Sequence, residues 1–508
     1  MTHVHPTRDD RVVAAVSEVV GGPVGDHAGR HRWWTPTRVL LLMTAVVFAL
    51  GIVQKAPCSL AEGKDQNWVY SHMCYSDLRP LYVGRGLAEL SWPYSDDTET
   101  RNRYQVMEYP VGIAYWAYGT AWLTQKIDGS PDVDARADRP VTELSGDKDV
   151  DRELTIFVLV NAAGFALMAL AAGWALSRVD RGRPWDAAAF ALSPTLLLTG
   201  LINWDLISVA LVALALLAWS RERSVLTGAL IGLGAAVKLY PLFLLGALLV
   251  ICIRQRRYAA FGLAAVWAAV TWGVVNLPAY LSGAAEWKVF WSFNADRGPD
   301  LGSVWLIIDQ VRADGVQVHT INTWSWLFFG AWCVGVLVLG LLAGRPMRNR
   351  WSRSSPGDPA ETPRLAQLGF LIVAGFLLVN KVYSPQYVLW LLPLAVLARP
   401  RWRDQIIWQA GEIFYFCTVW WYLGGYLQPA GGGDPGFYWV GIVVRMACEL
   451  YLVVMVVRDM LLPHHDPARD RPEVVPGSGD DDLVERGRGV ADPHVDHVAH
   501  GRHARAVR

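Results

Sequence analysis

The feature that most constrains this chain is a series of apolar runs separated by short, arginine-rich loops. The runs fall near residues 38–54, 153–176, 186–201, 204–219, 224–238, 240–254, 258–278, 324–343, 365–380, 383–398, 405–424 and 437–457. Segments of this length and purity belong in a bilayer, where about 20 apolar residues make one crossing. Inside hydrocarbon the backbone must satisfy its own polar groups, so each run is read as a helix. The expected fold is therefore an all-α polytopic integral membrane protein of about 12 transmembrane helices, several short enough to be tilted or broken. Composition agrees, with 53% hydrophobic and 18% charged residues. The formal net charge of zero gives no footing for a nucleic-acid partner.

Orientation follows from the loops. "RHRWWTPTR" precedes the first run, and "SRVDRGRP", "RER", "RQRR", "GRPMRNRWSRSS" and "RPRWR" follow later ones. Placing all of them in the cytoplasm obeys the positive-inside rule and puts both termini inside. One segment resists: "EYPVGIAYWAYGTAWLTQKI" (108–127) is apolar enough to cross, yet counting it would invert every later loop. It is expected to lie on, or dip into, the outer surface. The domain plan is a cytoplasmic disordered tail (1–37), a membrane domain (38–457) and a second such tail (458–508). The membrane domain carries a long first external loop (55–152) with membrane-surface helices and a second external loop (278–323). The first run has no small-residue cleavage pattern after it and reads as a retained anchor. Cys58 and Cys74 share the first external region, where a disulfide and two free thiols are both open readings.

In this topology the unusual polar residues gather on the outer side. They occur in "YSDLRPLYVGRGL" (75–87), "MEYPVG" (107–112), "NWD" (203–205), "KLYP" (238–241), "FNADRGPDLGSVW" (293–305) and "NKVYSPQY" (380–387). Lys238 and Lys381 could simply snorkel to the interface with tyrosines of an aromatic belt. Both lysines together with arginine and acids on one face point instead to a functional cavity. Lys and Arg with Tyr and Gln donors suit a phosphate at the bilayer surface. A carboxylate opposite could take a proton from a hydroxyl. That is the chemistry of sugar transfer from a lipid phosphate.

Asp77 is the candidate base, with an N-terminal helix cap as the competing reading. Glu108 is the rival base or a supporting partner. Asp205 caps its span, orients the donor or binds a metal. Arg85, Tyr109, Lys238, Tyr240, Arg297, Lys381, Tyr383 and Gln386 complete the candidate substrate site. No D-x-D motif occurs in the early external region, so a divalent metal has no sequence support and no cofactor is assigned.

These motifs, with "NWDLISVALVALALLA", "GLGAAVKLYPLFLL", "RGPDLGSVW" and "NKVYSPQYVLWLLPL", resemble the C-type membrane glycosyltransferases, and most closely glycosyltransferase family 87. The resemblance covers roughly residues 38–457. It implies an enzyme of the plasma membrane with its active site on the extracytoplasmic face, like the actinobacterial polyprenyl-phosphate-mannose-dependent α-mannosyltransferases. The implied base is Asp77, the implied donor is a polyprenyl-phosphate sugar with mannose foremost, and the implied acceptor is a cell-envelope glycolipid or glycan. The implied reaction inverts the anomeric centre. The insert "DGSPDVDARADRPVTELSGDKDVD" (128–151) departs from the expected pattern. A transporter or flippase for a lipid-linked or anionic solute is the competing function, and it too needs a cationic cavity.

Overall fold

The computed structural model describes residues 33–59, 66–344, 362–427 and 434–469. Most of both expected tails, and the inner linker after residue 344, lie outside these residues. Five described helices are long and apolar enough to cross a membrane: α1 (Pro36–Ser59), α4 (Lys148–Val179), α9 (Tyr258–Ser282), α11 (Val318–Leu342) and α15 (Gly436–Leu461). Between them lie α2 (Leu78–Gly84), α3 (Val111–Ile127), α5 (Pro194–Thr199), α6 (Asp205–Ser220), α7 (Ser224–Val237), α8 (Phe243–Gln255), α10 (Ala284–Asp296), α12 (Leu365–Val379), α13 (Val388–Ala398) and α14 (Trp402–Leu423). Apolar but shorter are α6, α7, α8, α12 and α13. The expected run at 186–201 is not one helix. Ser193 caps a new start, its hydroxyl accepting from the Leu196 amide, and Pro194 takes the first turn where no amide is needed.

The interior of the bundle is formed by α6, α12 and α13, each buried along most of its length. Around it, α9 and α11 bury few residues and expose Val266, Trp267, Val270, Val274, Leu327, Val334 and Val338. Apolar surface of this extent fits contact with lipid. One of the closest helix pairings is α7 with α9. Gly228 and Gly232 lie one turn apart, and a Cβ on either would run into the backbone oxygen of Ala264 or Ala268. This is the small-xxx-small device that lets two helices approach in a bilayer.

The region expected to be external, 55–152, forms several short helices among its described residues. The disulfide Cys58–Cys74 ties the end of α1 to the segment before α2. The resisting segment forms α3, which packs lengthwise on α4: Trp116 donates to Asn161 at 3.0 Å, and Asp128 just past its end pairs with Arg152. The acidic insert folds back on α4 through Arg136, which donates to buried Glu153 at 2.6 and 2.8 Å. Of its acids, Asp128 and Asp149 pair with Arg152, and Glu143 and Asp147 pair with Arg139.

The expected domain end at residue 457 falls within α15. Helix α15 runs on to Leu461, and buried Asp466 accepts from Arg364 at 2.8 and 3.1 Å and from Gln367 at 3.1 Å. Residues 458–466 are therefore folded against the bundle, because charge pairing takes over where the apolar run stops.

Candidate functional site

Helix breaks build the site. Helix α7 stops at Val237, Lys238 is extended, and a 3-10 turn at Tyr240–Leu242 restarts the chain. Helix α12 likewise stops at Val379, and a 3-10 turn at Pro385–Tyr387 leads into α13. In each case proline is tolerated because it opens a new turn. The first break brings Lys238 within electrostatic reach of Asp77, and the second brings the Tyr387 ring to Lys238.

Asp77 sits at the N-cap position of α2, but its side chain makes no capping bond. Its Oδ2 instead accepts from the Tyr109 hydroxyl at 2.8 Å and from Asn203 Nδ2 at 3.4 Å, and the Tyr75 hydroxyl also meets it. The backbone is clipped in place as well. Asp77 N–H donates to the Ile202 carbonyl at 2.8 Å, and the Ser76 hydroxyl donates to the Leu201 carbonyl at 2.9 Å. From the other side, Lys55 at the end of α1 donates to the carbonyls of Met73 (3.4 Å) and Tyr75 (3.1 Å). Burial pushes the Asp77 carboxyl above the usual carboxylate range, against the opposing pull of Tyr109, Tyr75, Lys238 and Asn203. A carboxylate so held is a stronger base than a free one and remains hydrogen-bonded in its charged form.

Lys238 is buried in an aromatic enclosure. Its Nζ lies 5.0 Å from the ring centre of Tyr109, 5.9 Å from Tyr387 and 6.0 Å from Trp390. It also lies 3.4 Å from Asp205 Oδ1, which accepts from Trp390 Nε1 at 2.8 Å. Cation–π attraction and one ion pair thus fix the ammonium, whose charge reaches Asp77. Asp205 opens α6 without capping it. It is fully buried, and its Oδ2 has no hydrogen-bond partner among the described residues. Tyr240 is buried and stacks on Trp390 at 4.7 Å, so it supports the enclosure from behind.

Arg297 lies within electrostatic reach of Tyr109 and Tyr387 and is paired to Asp300. Lys381 in turn lies within reach of Arg297; burial first, and Arg297 second, hold its ammonium below the usual lysine range. Its Nζ donates to the Ala295 carbonyl (3.0 Å) and to Asn322 Oδ1 (2.6 Å). Two further bonds, Asp300 N–H to the Lys381 carbonyl (2.9 Å) and Tyr383 N–H to the Leu301 carbonyl (2.6 Å), join the two loops.

Glu108 lies within electrostatic reach of Tyr75 and Tyr109. Arg85 and Glu108 form a bidentate pair at 2.9–3.1 Å and so neutralise each other. Tyr383 points inward, donating to Glu412 at 2.8 Å beneath the Arg445 guanidinium, which lies 3.6 Å from its ring. Gln386 is buried, and its Oε1 has no hydrogen-bond partner among the described residues. The structure therefore brings together Asp77, Tyr109, Asp205, Lys238 and Arg297, with Lys381 behind Arg297. It adds Lys55, Tyr75, Asn203, Tyr387 and Trp390, which sequence reasoning did not assign. The aromatic pair lay in a motif already singled out, but its rings were indistinguishable from an interfacial belt. Among the described residues no group of three or more His, Cys, Asp or Glu could hold a metal ion.

A family model described as glycosyltransferase family 87 matches residues 152–379. No curated protein matches the chain. The matched segment carries Asn203, Asp205, Lys238 and Arg297, begins after Asp77 and ends short of Lys381. With the apolar helices, this similarity supports a membrane glycosyltransferase.

Proposed function

We propose that the protein transfers a sugar, with mannose the leading candidate, from a polyprenyl-phosphate donor to a cell-envelope glycolipid or glycan. The transfer takes place at the extracytoplasmic face of the plasma membrane and inverts the anomeric centre. The observation that carries this reading is Asp77 held by Tyr109, whose ring also faces the enclosed ammonium of Lys238, within electrostatic reach of Asp77. The Cys58–Cys74 disulfide, three residues before Asp77, supports an oxidising and therefore external setting.

In the step, Asp77 removes the proton of the acceptor hydroxyl. That oxygen forms a bond to the anomeric carbon from the face opposite the phosphate. The bond from that carbon to the phosphate oxygen breaks, and its electron pair leaves with the polyprenyl phosphate. Lys238 and Arg297 stabilise the negative charge that grows on the departing oxygen, the kind of preorganised electrostatic help that dominates many enzymes. Tyr109 serves both halves, donating to Asp77 and offering its ring to Lys238. No residue of this scheme calls for a metal.

The test is transfer by the purified chain from a radiolabelled polyprenyl-phosphate sugar to an extracted envelope lipid. Asp77→Asn keeps the shape of the side chain and removes the base, so transfer falls by about 10²–10⁴. Full activity in that variant would remove Asp77 from the role.

A further inference from the structure

Asp77 has two unlike sides. On one stand Tyr109, Lys238 and, beyond them, Arg297, a cationic setting suited to a phosphate. On the other is an aromatic cluster, with buried Lys55 lying 5.9 Å from the Trp420 ring. Tyr75 contacts Asp77 through its hydroxyl, and Tyr70 lies within electrostatic reach of the same carboxylate. The Tyr70 and Tyr75 rings stack at 5.8 Å, and Trp420 backs them at 6.0 and 5.5 Å. Both tyrosines are half-buried, while Trp420 is buried and its indole N–H has no hydrogen-bond partner among the described residues. Ser71 and Trp421, chain neighbours of Tyr70 and Trp420, line an open cleft of about 300 Å³ with Tyr426 and Leu427. Among the described residues no charged side chain lines it.

We infer that Tyr70 and Tyr75, backed by Trp420, form the platform on which a saccharide ring of the acceptor stacks, with the Ser71–Trp421–Tyr426 cleft receiving the rest of the acceptor. This rests on the transfer reading above. The physical reason is complementarity: the C–H face of a pyranose is weakly positive and the face of an aromatic ring is negative. The cation beside these rings, Lys55, is buried and already held by the Met73 and Tyr75 carbonyls, whereas a neutral sugar has rings to stack on, and Asp77 stands at the edge where its hydroxyl would arrive. Base and platform are also tied together, because Lys55 holds the Met73 and Tyr75 carbonyls and the disulfide anchors Cys74.

Two measurements test it. In the first, the full chain in lipid nanodiscs is mixed with octyl α-mannoside, and saturation-transfer NMR reads which ligand protons approach the protein; decanol is the control without a sugar. Ring C–H protons are expected to saturate with wild type and with Tyr70→Phe, which keeps the ring, and to lose most of that signal in Tyr70→Ala. Trp421→Ala, at the cleft mouth, provides a second variant should Tyr70→Ala not fold. In the second, the acceptor KM of Tyr70→Ala is expected to rise about two- to tenfold, the scale of one aromatic contact, with donor KM unmoved. Ring saturation that is absent in wild type, or unchanged in both alanine variants, overturns the inference. Saturation confined to the alkyl chain, matched by decanol, assigns the cleft to lipid and overturns it too. Tyr70-dependent sugar binding in a protein that transfers nothing would uphold the platform and sink the transfer reading.

Discussion

Replacing Lys238 by methionine removes a buried cation whose only carboxylate contact within ion-pair distance among the described residues is Asp205. The pair is separated by 3.4 Å, and Asp205 is fully buried with one oxygen already lacking a partner. At an effective dielectric constant of about 20 the attraction is about 5 kcal/mol. Breaking a buried pair from one side costs about 3–5 kcal/mol, because the remaining charge stays uncompensated. Lys238→Met should therefore destabilise the protein by about that amount. Adding Asp205→Asn removes the stranded charge while Trp390 keeps an amide oxygen to donate to. The double variant should recover at least about 2 kcal/mol of the loss. Denaturant unfolding in detergent, followed by near-ultraviolet circular dichroism, measures both. Additive costs, or a Lys238→Met protein as stable as wild type, would refute the argument that the ammonium and carboxylate depend on each other. The double variant also separates folding from function: it should fold yet transfer poorly, since nothing replaces the cation beside the leaving phosphate.

Three further outcomes follow from particular contacts. The Asp77 carboxyl is raised above its ordinary value, and a base must be deprotonated, so kcat/KM should fall as pH drops through a value above the usual carboxylate range. Tyr109→Phe removes a donor to the charged form and should move that acid limb upward; a pH–rate profile with the limb unmoved would refute it. Glu108→Gln should lower transfer far less than Asp77→Asn, because Glu108 is already engaged by Arg85; equal losses in the same assay would make Glu108 the better base. Gly228→Val should push α7 off α9 and lower the thermal midpoint by more than Gly262→Val, whose position faces open space.

The all-helical, membrane character was legible because long apolar runs are a strong, local signal, and five of the described helices are long and apolar enough to cross a bilayer. Pro241 and Pro385 marked the two breaks, and "NWD" marked the start of α6. The site was only half legible, for a physical reason. Residue type announces what a side chain can do, but not which way it faces. Arg85 and Glu108 looked like separate assets and turned out to cancel, since residues 23 positions apart can meet only through the fold. Lys55 ends an apolar run and reads as an interfacial lysine, yet it holds the segment that carries Asp77. Residues 458–469 looked like tail because polarity rises there, although Asp466 is buried by its pairing with Arg364.

The two echoing motifs, K-x-Y-P at 238–241 and K-x-Y-S-P at 381–385, show how far a sequence likeness carries. Both place a lysine just past a helix end and restart the chain with proline. Lys238 keeps its ammonium among aromatic rings beside a carboxylate, an enclosure that fixes the charge without using all its donors. Lys381 spends its donors on Ala295 and Asn322, and its backbone joins the loop carrying Arg297. The tyrosines diverge likewise: Tyr240 stacks behind the enclosure, whereas Tyr383 turns inward to Glu412. The echo thus yields one cation beside the base and one staple that sets the position of a second cation. That division explains why loss of Lys381 should act through Arg297, weakening donor affinity more than turnover, whereas loss of Lys238 should lower turnover itself. Donor KM and kcat measured for Lys381→Met and Lys238→Met/Asp205→Asn would distinguish the two, and the same pattern in both would merge the roles.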